Sequence, residues 1–224
     1  TNAPVIQGVR YGIREINAQG GVLGRQINLI VLDNLSTPIG SNIAAERALE
    51  KGVTASIGPP WSSHALAAAK VAQAGETPMI SDFATNPDIT KIGNYIFRVC
   101  YTDDFQGRIM ARFARENLNA ATAVIFTDVT SDFSMKLSEI FLNNFVQSGG
   151  KIVLKVNYKY KQENYDEQIR PAAKNDADVL FLSGHDESGL IAKKAQEAGI
   201  SAIPIGGDGW GTPIFFPRGG SELK

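Results

Sequence analysis

The chain has 224 residues with 22 Lys plus Arg against 23 Asp plus Glu, so its formal net charge of -1 gives no global drive toward nucleic acid or anionic lipid. An apolar fraction of 43% and a charged fraction of 20% are globular values that argue against disorder. One cysteine, Cys100, excludes an intramolecular disulfide and any multi-cysteine metal site, and two histidines are too few for an all-histidine zinc site.

The apolar pattern alternates between two periods along the chain. Residues 4–18 place Val5, Val9, Ile13 and Ile16 at helical spacing before Gly20-Gly21, and residues 26–33 (QINLIVLD) read as a buried strand. Thr37-Pro38 opens a helix over about 38–51 that stops at Gly52. Residues 54–57 are a short strand, 62–74 an alanine-rich helix closed by Gly75, and 78–81 and 95–99 two more strands. The rhythm restarts after Tyr101. Helices are predicted over 104–117, 133–148, 165–175 and 187–198, and strands over 121–127, 151–158, 179–183 and 202–205.

About nine strands separated by helices imply βαβ crossovers and parallel sheets covered on both faces. The alternation breaks at the polar segment Tyr101-Thr102-Asp103-Asp104, which points to two sheets rather than one. Both ends look incomplete. The chain opens on a helix whose stripe needs a sheet, and closes on Pro217-Arg218-Gly219-Gly220 and a charged Ser-Glu-Leu-Lys tail without a closing helix. No apolar run approaches the ~20 residues that span a bilayer, and no signal peptide is visible.

No nucleophile elbow, phosphate-binding P-loop or paired-histidine zinc motif is present. Gly20-Gly21-Val22-Leu23-Gly24 follows a helix and precedes a strand, the reverse of a dinucleotide-binding loop, so it reads as a helix stop and a turn. Ser62 and His64, two apart on one helix, point in different directions and make a poor dyad.

In open parallel sheets, ligands bind beyond the carboxyl ends of the strands. The segments at those ends are 59–63, 82–85, 100–103, 128–133, 184–186 and 206–210, rich in hydroxyls, carboxylates and aromatics. They suit a small zwitterion: helix N–H groups and hydroxyls for a carboxylate, an Asp for an ammonium, aromatic walls for the rest. Trp61, Phe83, Tyr101, Phe133 and Trp210 would supply such walls. The competing reading makes Ser62, Thr85 and Asp132 helix N-caps, and the two roles can coexist.

The stretches REINAQGGVLGRQINLIVLDNLSTP (14–38), SIGPPWSSHALAAAKVA (56–72), TPMISDFATNPDIT (77–90), FRVCYTDDFQGRIMARF (97–113) and AIPIGGDGW (202–210) together cover nearly the whole chain in order. Their pattern resembles the periplasmic binding proteins of the leucine/isoleucine/valine-binding type, the solute receptors of ABC importers. The resemblance implies an α/β fold of two Rossmann-like lobes with parallel sheets, a type I periplasmic binding protein. Residues 1–101 would form lobe one without its first strand, 102–104 the crossover, and 105–224 lobe two without its C-terminal part and return segment. It implies a non-catalytic periplasmic or lipid-anchored receptor for an amino acid or related small carboxylate. It would act as a monomer with a membrane permease as partner, without metal, cofactor or nucleic acid. A ligand-sensing domain of the same fold, driving signalling instead of transport, is the alternative.

Carried over by position, the resemblance implies that Ser62 holds the ligand carboxylate and that Phe83 and Thr85 meet its ammonium group. Asp103 matches the crossover acid and Asp208 the acid that neutralises the ammonium. Phe133 and His185 stand where the branched-chain receptors have tyrosines. Trp61 replaces a cysteine whose partner position is Ser36, so that disulfide is gone. The indole either reaches into the pocket or packs on the lobe. The candidate ligand-binding set is Trp61, Ser62, Ser63, Phe83, Ala84, Thr85, Tyr101, Asp103, Phe133, His185 and Asp208.

Overall fold

A computed structural model of the chain describes residues 3–162 and 164–220, so the charged tail at 221–224 lies outside the described residues. The chain divides into two compact units, Thr1–Asp33 and Asn34–Lys224.

The first unit begins with helix α1, Ala3–Ala18. Val5, Val9 and Ile13 are half-buried along one stripe while Arg10, Arg14 and Glu15 face out, as the helical spacing predicts. The chain then reverses through Gly20 and Gly21, both at positive φ. At Gly21 a Cβ would sit 2.0 Å from the Arg25 carbonyl oxygen, so only glycine fits the turn. The Asn17 side chain clamps the next segment, donating to the Ile27 carbonyl at 2.9 Å and accepting from the Ile27 N–H at 2.7 Å.

Here the sequence reading is corrected. Residues 26–33 form no strand, and Ile30 and Val31 are exposed. A strand exists only through its ladder, and neither described sheet includes this segment. Its apolar run is therefore strand-like in composition alone.

The second unit holds two α/β lobes. In lobe one, helix α2 (Pro38–Glu50) starts at Thr37, whose hydroxyl accepts the Gly40 N–H at 2.9 Å, with Pro38 at the first helical position. Strands β1 (Ser56–Ile57), β2 (Met79–Ser81) and β3 (Ile96–Arg98) form a parallel sheet in that order. Helix α3, Ser62–Ala74, packs on it through Ala65, Ala68, Ala69 and Ala72, small side chains that admit close contact with Met79, Ile89 and Ile96.

Lobe two opens with α4, Asp103–Glu116, and is built on a second parallel sheet. Its strands are β4 (Thr122–Asp128), β5 (Lys151–Tyr158), β6 (Val179–Leu182) and β7 (Ile203–Gly206), in the order β5-β4-β6-β7. Both faces are covered, as the unbroken apolar runs of β4 and β6 require. One face packs against α4 and α5 (Asp132–Gln147), with Phe141 stacked on Phe181 at 3.8 Å. The other packs against α6 (Asp166–Ala172) and α7 (Glu187–Glu197). Of the strand segments read from sequence, all but 26–33 are found, giving seven described strands. A short helix α8, Phe215–Gly219, follows β7 where no closing helix was expected.

Candidate functional site

The loops after the strands of the two lobes meet. The Ser63 hydroxyl accepts the Asp132 N–H at 3.0 Å, and Asn86 Nδ2 donates to the Asp132 carbonyl at 3.1 Å. Lys136 pairs with Asp88 at 3.2 Å. These contacts join the start of α3 and the β2–β3 connection to the start of α5, so the carboxyl ends of both sheets line one cleft.

Trp61 is the largest group crossing this cleft. Its indole stacks on His185 of lobe two at 4.7 Å and on His64 of its own helix at 5.6 Å, with Tyr160 edge-on at 6.1 Å. Of the two readings of Trp61, burial against its own lobe alone is excluded. Burial lowers the pKa of His64, which favours the neutral ring beside the indole.

Ser62 is not an N-cap. Trp61 occupies the cap position of α3 and offers no side-chain hydrogen bond, while the Ser62 hydroxyl accepts the Asn86 N–H at 3.3 Å. Thr85 and Asp132 are not caps either, because α4 and α5 start after Thr102 and Ser131. The uncapped first turn of α3 leaves N–H groups and the positive end of the helix dipole available to an anion.

The cleft also holds buried acids. Asp103 is fully buried at the start of α4, and Asp208 begins a short 3₁₀ turn, Asp208–Trp210, after β7. Asp103 Oδ1 accepts from Gln106 Nε2 at 3.2 Å, and Gln106 Oε1 accepts the Asp208 N–H at 2.6 Å. The Thr85 hydroxyl lies close to Asp103 and favours its charged form, but Asp103 Oδ2 is left without a hydrogen bond. Asp208 Oδ1 and Asp82 Oδ1 are likewise buried and unpartnered. Desolvation raises all three carboxyls, Asp103 to about 7. The Tyr101 phenol, half-exposed beside Asp208, is pushed up to about 12 by desolvation and by the Asp208 charge. Among the described residues, no three His, Cys, Asp or Glu side chains converge as metal ligands would.

The glycines around Asp208 have steric causes. A Cβ on Gly209 would meet the Gly184 carbonyl oxygen at 2.5 Å, and one on Gly207 would meet Gln106 Oε1 at 2.6 Å. The loop therefore lies tight against the β6–α7 connection and α4, which fixes where the acid stands.

The structure sorts the predicted residues. Trp61, Ser62, Ser63, Thr85, Tyr101, Asp103, His185 and Asp208 lie around the cleft through the contacts above. The Ala84 carbonyl is already engaged by Arg98 Nη1 at 3.2 Å, and Phe83 is 61% exposed. Phe133 is only 5% exposed, in the buried cluster that holds Leu137 and Phe181, and its ring meets His185 at 4.9 Å. Trp210 is turned inward as well, donating to the Leu182 carbonyl at 3.2 Å and stacking on Phe215 at 4.5 Å.

Sequence reasoning missed Gln106, Asn86 and Asp82 as members of the site. Asp82 had the same signal as its neighbours, a polar residue directly after a strand. Gln106 had a weaker one, its i,i+3 spacing from Asp103 on one helix.

A family model described as periplasmic binding protein matches residues 1–214. The leucine-binding protein LivK of Thermotoga maritima superposes with a TM-score of 0.89 at 34% identity, over 94% of this chain and 61% of that one. The branched-chain amino acid substrate-binding protein LivJ of Streptococcus pneumoniae, in complex with isoleucine, gives 0.86 at 29% identity, over 95% and 61%. The Leu/Ile/Val-binding protein BraC3 of Rhizobium johnstonii is 26% identical over 96% of this chain and 59% of its own length. The chain thus spans about six tenths of the length of these relatives. With the family match running across both lobes and the cleft between them, the chain belongs to the periplasmic binding protein family.

Proposed function

We propose that the protein is an extracytoplasmic substrate-binding receptor of an ABC importer that takes an amino acid between two lobes closing about residues 102–104. The observation that supports this reading best is the polarity of the cleft. One part of the cleft offers the uncapped start of α3 with Ser62, and the acidic part holds two buried carboxylate oxygens without partners, Asp103 Oδ2 and Asp208 Oδ1. A buried unpaired charge is costly, so an ammonium group that satisfies these oxygens gains what water exclusion would otherwise forfeit. The ligand's carboxylate then faces the helix N-terminus.

Relatives named for leucine, isoleucine and valine binding support the same class. Trp61 and Tyr101, 38% and 50% exposed, add apolar surface suited to an apolar or aromatic side chain. Ligand contacts made from both lobes favour the closed state, which a membrane permease would recognise. Compartment, monomeric state and permease partner follow from family membership and are part of the proposal. A thermal-shift screen of the full-length protein against the twenty L-amino acids and small organic acids tests it. An amino acid at a hundred times its dissociation constant should add roughly 2.7 kcal/mol of stability. Stabilisation by organic acids alone would contradict the amino-acid class.

A further inference from the structure

Gln106 is 8% exposed and belongs to no predicted role, yet it touches both acids of the cleft. Its orientation is determined by its partners. The Asp208 backbone N–H can only donate, so the amide oxygen must face it, at 2.6 Å. The amide NH2 is thereby turned to Asp103 Oδ1, at 3.2 Å. Each acid keeps one buried oxygen, Asp103 Oδ2 and Asp208 Oδ1, with no partner. The two positions are far apart in sequence, 103 on α4 and 208 after β7, and this one side chain ties them together.

We propose that Gln106 is the positioning residue of the ammonium subsite, yoking Asp103 to Asp208 so that the two carboxylates act as one acceptor that exchanges a proton for an incoming ammonium. This rests on the amino-acid reading above and deepens it.

The surroundings favour exchange. Asp208 raises Asp103 by its charge, and Asp82, after β2, raises Cys100 as Asp208 does. Tyr101 and Cys100 precede α4, and both ionise only well above neutral pH. Arg98 on β3 favours the ionised form of Asp103, and the Thr85 hydroxyl does the same. Its guanidinium, however, is spent on the Ala84 and Asn86 carbonyls at 3.2 and 2.7 Å and on Thr90 at 3.1 Å. His185 lowers Asp208 in the same way. Desolvation outweighs these, and Asp103 stands at about 7. The step balances: the ammonium enters with its proton complement intact, the carboxyl of Asp103 loses its proton to buffer, and two carboxylates remain around one cation.

Calorimetric titration of the full-length protein, in two buffers of different ionisation enthalpy, counts the protons released. L-leucine against 4-methylpentanoate is the first probe pair, and L-phenylalanine against 3-phenylpropanoate the second. With the wild-type protein, an amino acid should release about half a proton at pH 7, more at pH 6 and almost none at pH 8.5, as a group near pKa 7 dictates. Asp103→Asn should abolish the release. Gln106→Met keeps the length and removes both hydrogen bonds. It should lower the preference for the amino acid over its deaminated twin about tenfold and move the proton-release profile to higher pH, since a donor to the charged Asp103 is lost.

If Gln106→Met changes thermal stability but leaves both the preference and the proton profile as in wild type, Gln106 only packs and the proposal is overturned. A wild-type protein that binds an amino acid at pH 6 and 7 without releasing a proton overturns it too, whatever the variant does, while leaving the amino-acid reading intact. Failure of both amino acids to bind overturns that reading, and this inference with it.

Discussion

Asp208→Asn is expected to weaken amino-acid binding by about 2–5 kcal/mol, a loss on the order of a hundredfold or more. The side chain keeps its size but loses its charge and trades one acceptor oxygen for an NH2 donor. Asp208 Oδ1 is buried and has no protein partner, and water exclusion on closure makes an unanswered ammonium costly. A ligand lacking the amino group should bind the variant as well as the wild type, or better, because a like-charge repulsion disappears. Titration of the variant with an amino acid and its deaminated analogue separates these outcomes. An equal loss for both would mean that Asp208 only shapes its glycine-rich loop. A wild-type preference for the deaminated acid would remove the amino-acid assignment itself.

The second large effect is on the ligand-free protein. Asp103 is fully buried and its folded pKa, about 7, lies far above the ordinary carboxyl value. The folded state therefore binds this proton more tightly than the unfolded chain. The stabilisation is complete below pH ~4 and is lost as pH rises through about 7, a difference of about 4 kcal/mol as an upper figure. Asp82, Asp208 and Glu187, also raised by burial, push the same way. Asp178, which accepts the Ala121 and Thr122 N–H groups and is lowered by them, pushes the other way at more acidic pH. Chemical denaturation from pH 5 to 8 should show stability falling across this window. Asp103→Asn should flatten the slope and be the more stable protein at pH 8. An unchanged slope in the variant would place the pH dependence elsewhere.

Local chemistry made most of the fold legible. Gly75 and Gly149-Gly150 stop their helices where the periodicity ends, and the alanine-rich helix over 62–74 has the bounds read from sequence. The same holds for the alternating strand Lys151–Tyr158. The failure at 26–33 has a different cause. Apolar content marks a segment that can join a sheet, whereas the strand itself needs a neighbour's N–H and C=O groups.

The site divides along similar lines. The rule that ligands lie beyond strand ends singled out the segments that hold Trp61, Asp103 and Asp208, which the structure gathers around the cleft. It could not tell that Phe133 is almost fully buried and meets the cleft only through its ring contact with His185. Ser62 looked like a cap because serine before an apolar run usually is one. Ser62 is instead the first residue of the helix, so the cap position falls on Trp61. Gln106 stayed hidden because its partner at 208 is 102 positions away, a separation that no local pattern encodes.

The central claim is tested most directly by a crystal structure of the full-length protein with a bound L-amino acid. The account predicts the ammonium nitrogen within hydrogen-bonding distance of Asp208 and Asp103, and the carboxylate on the Ser62 hydroxyl and the first N–H groups of α3. The side chain should lie beside Trp61. An amino acid bound the other way round, with its carboxylate toward Asp208, or seated outside this cleft, would contradict it.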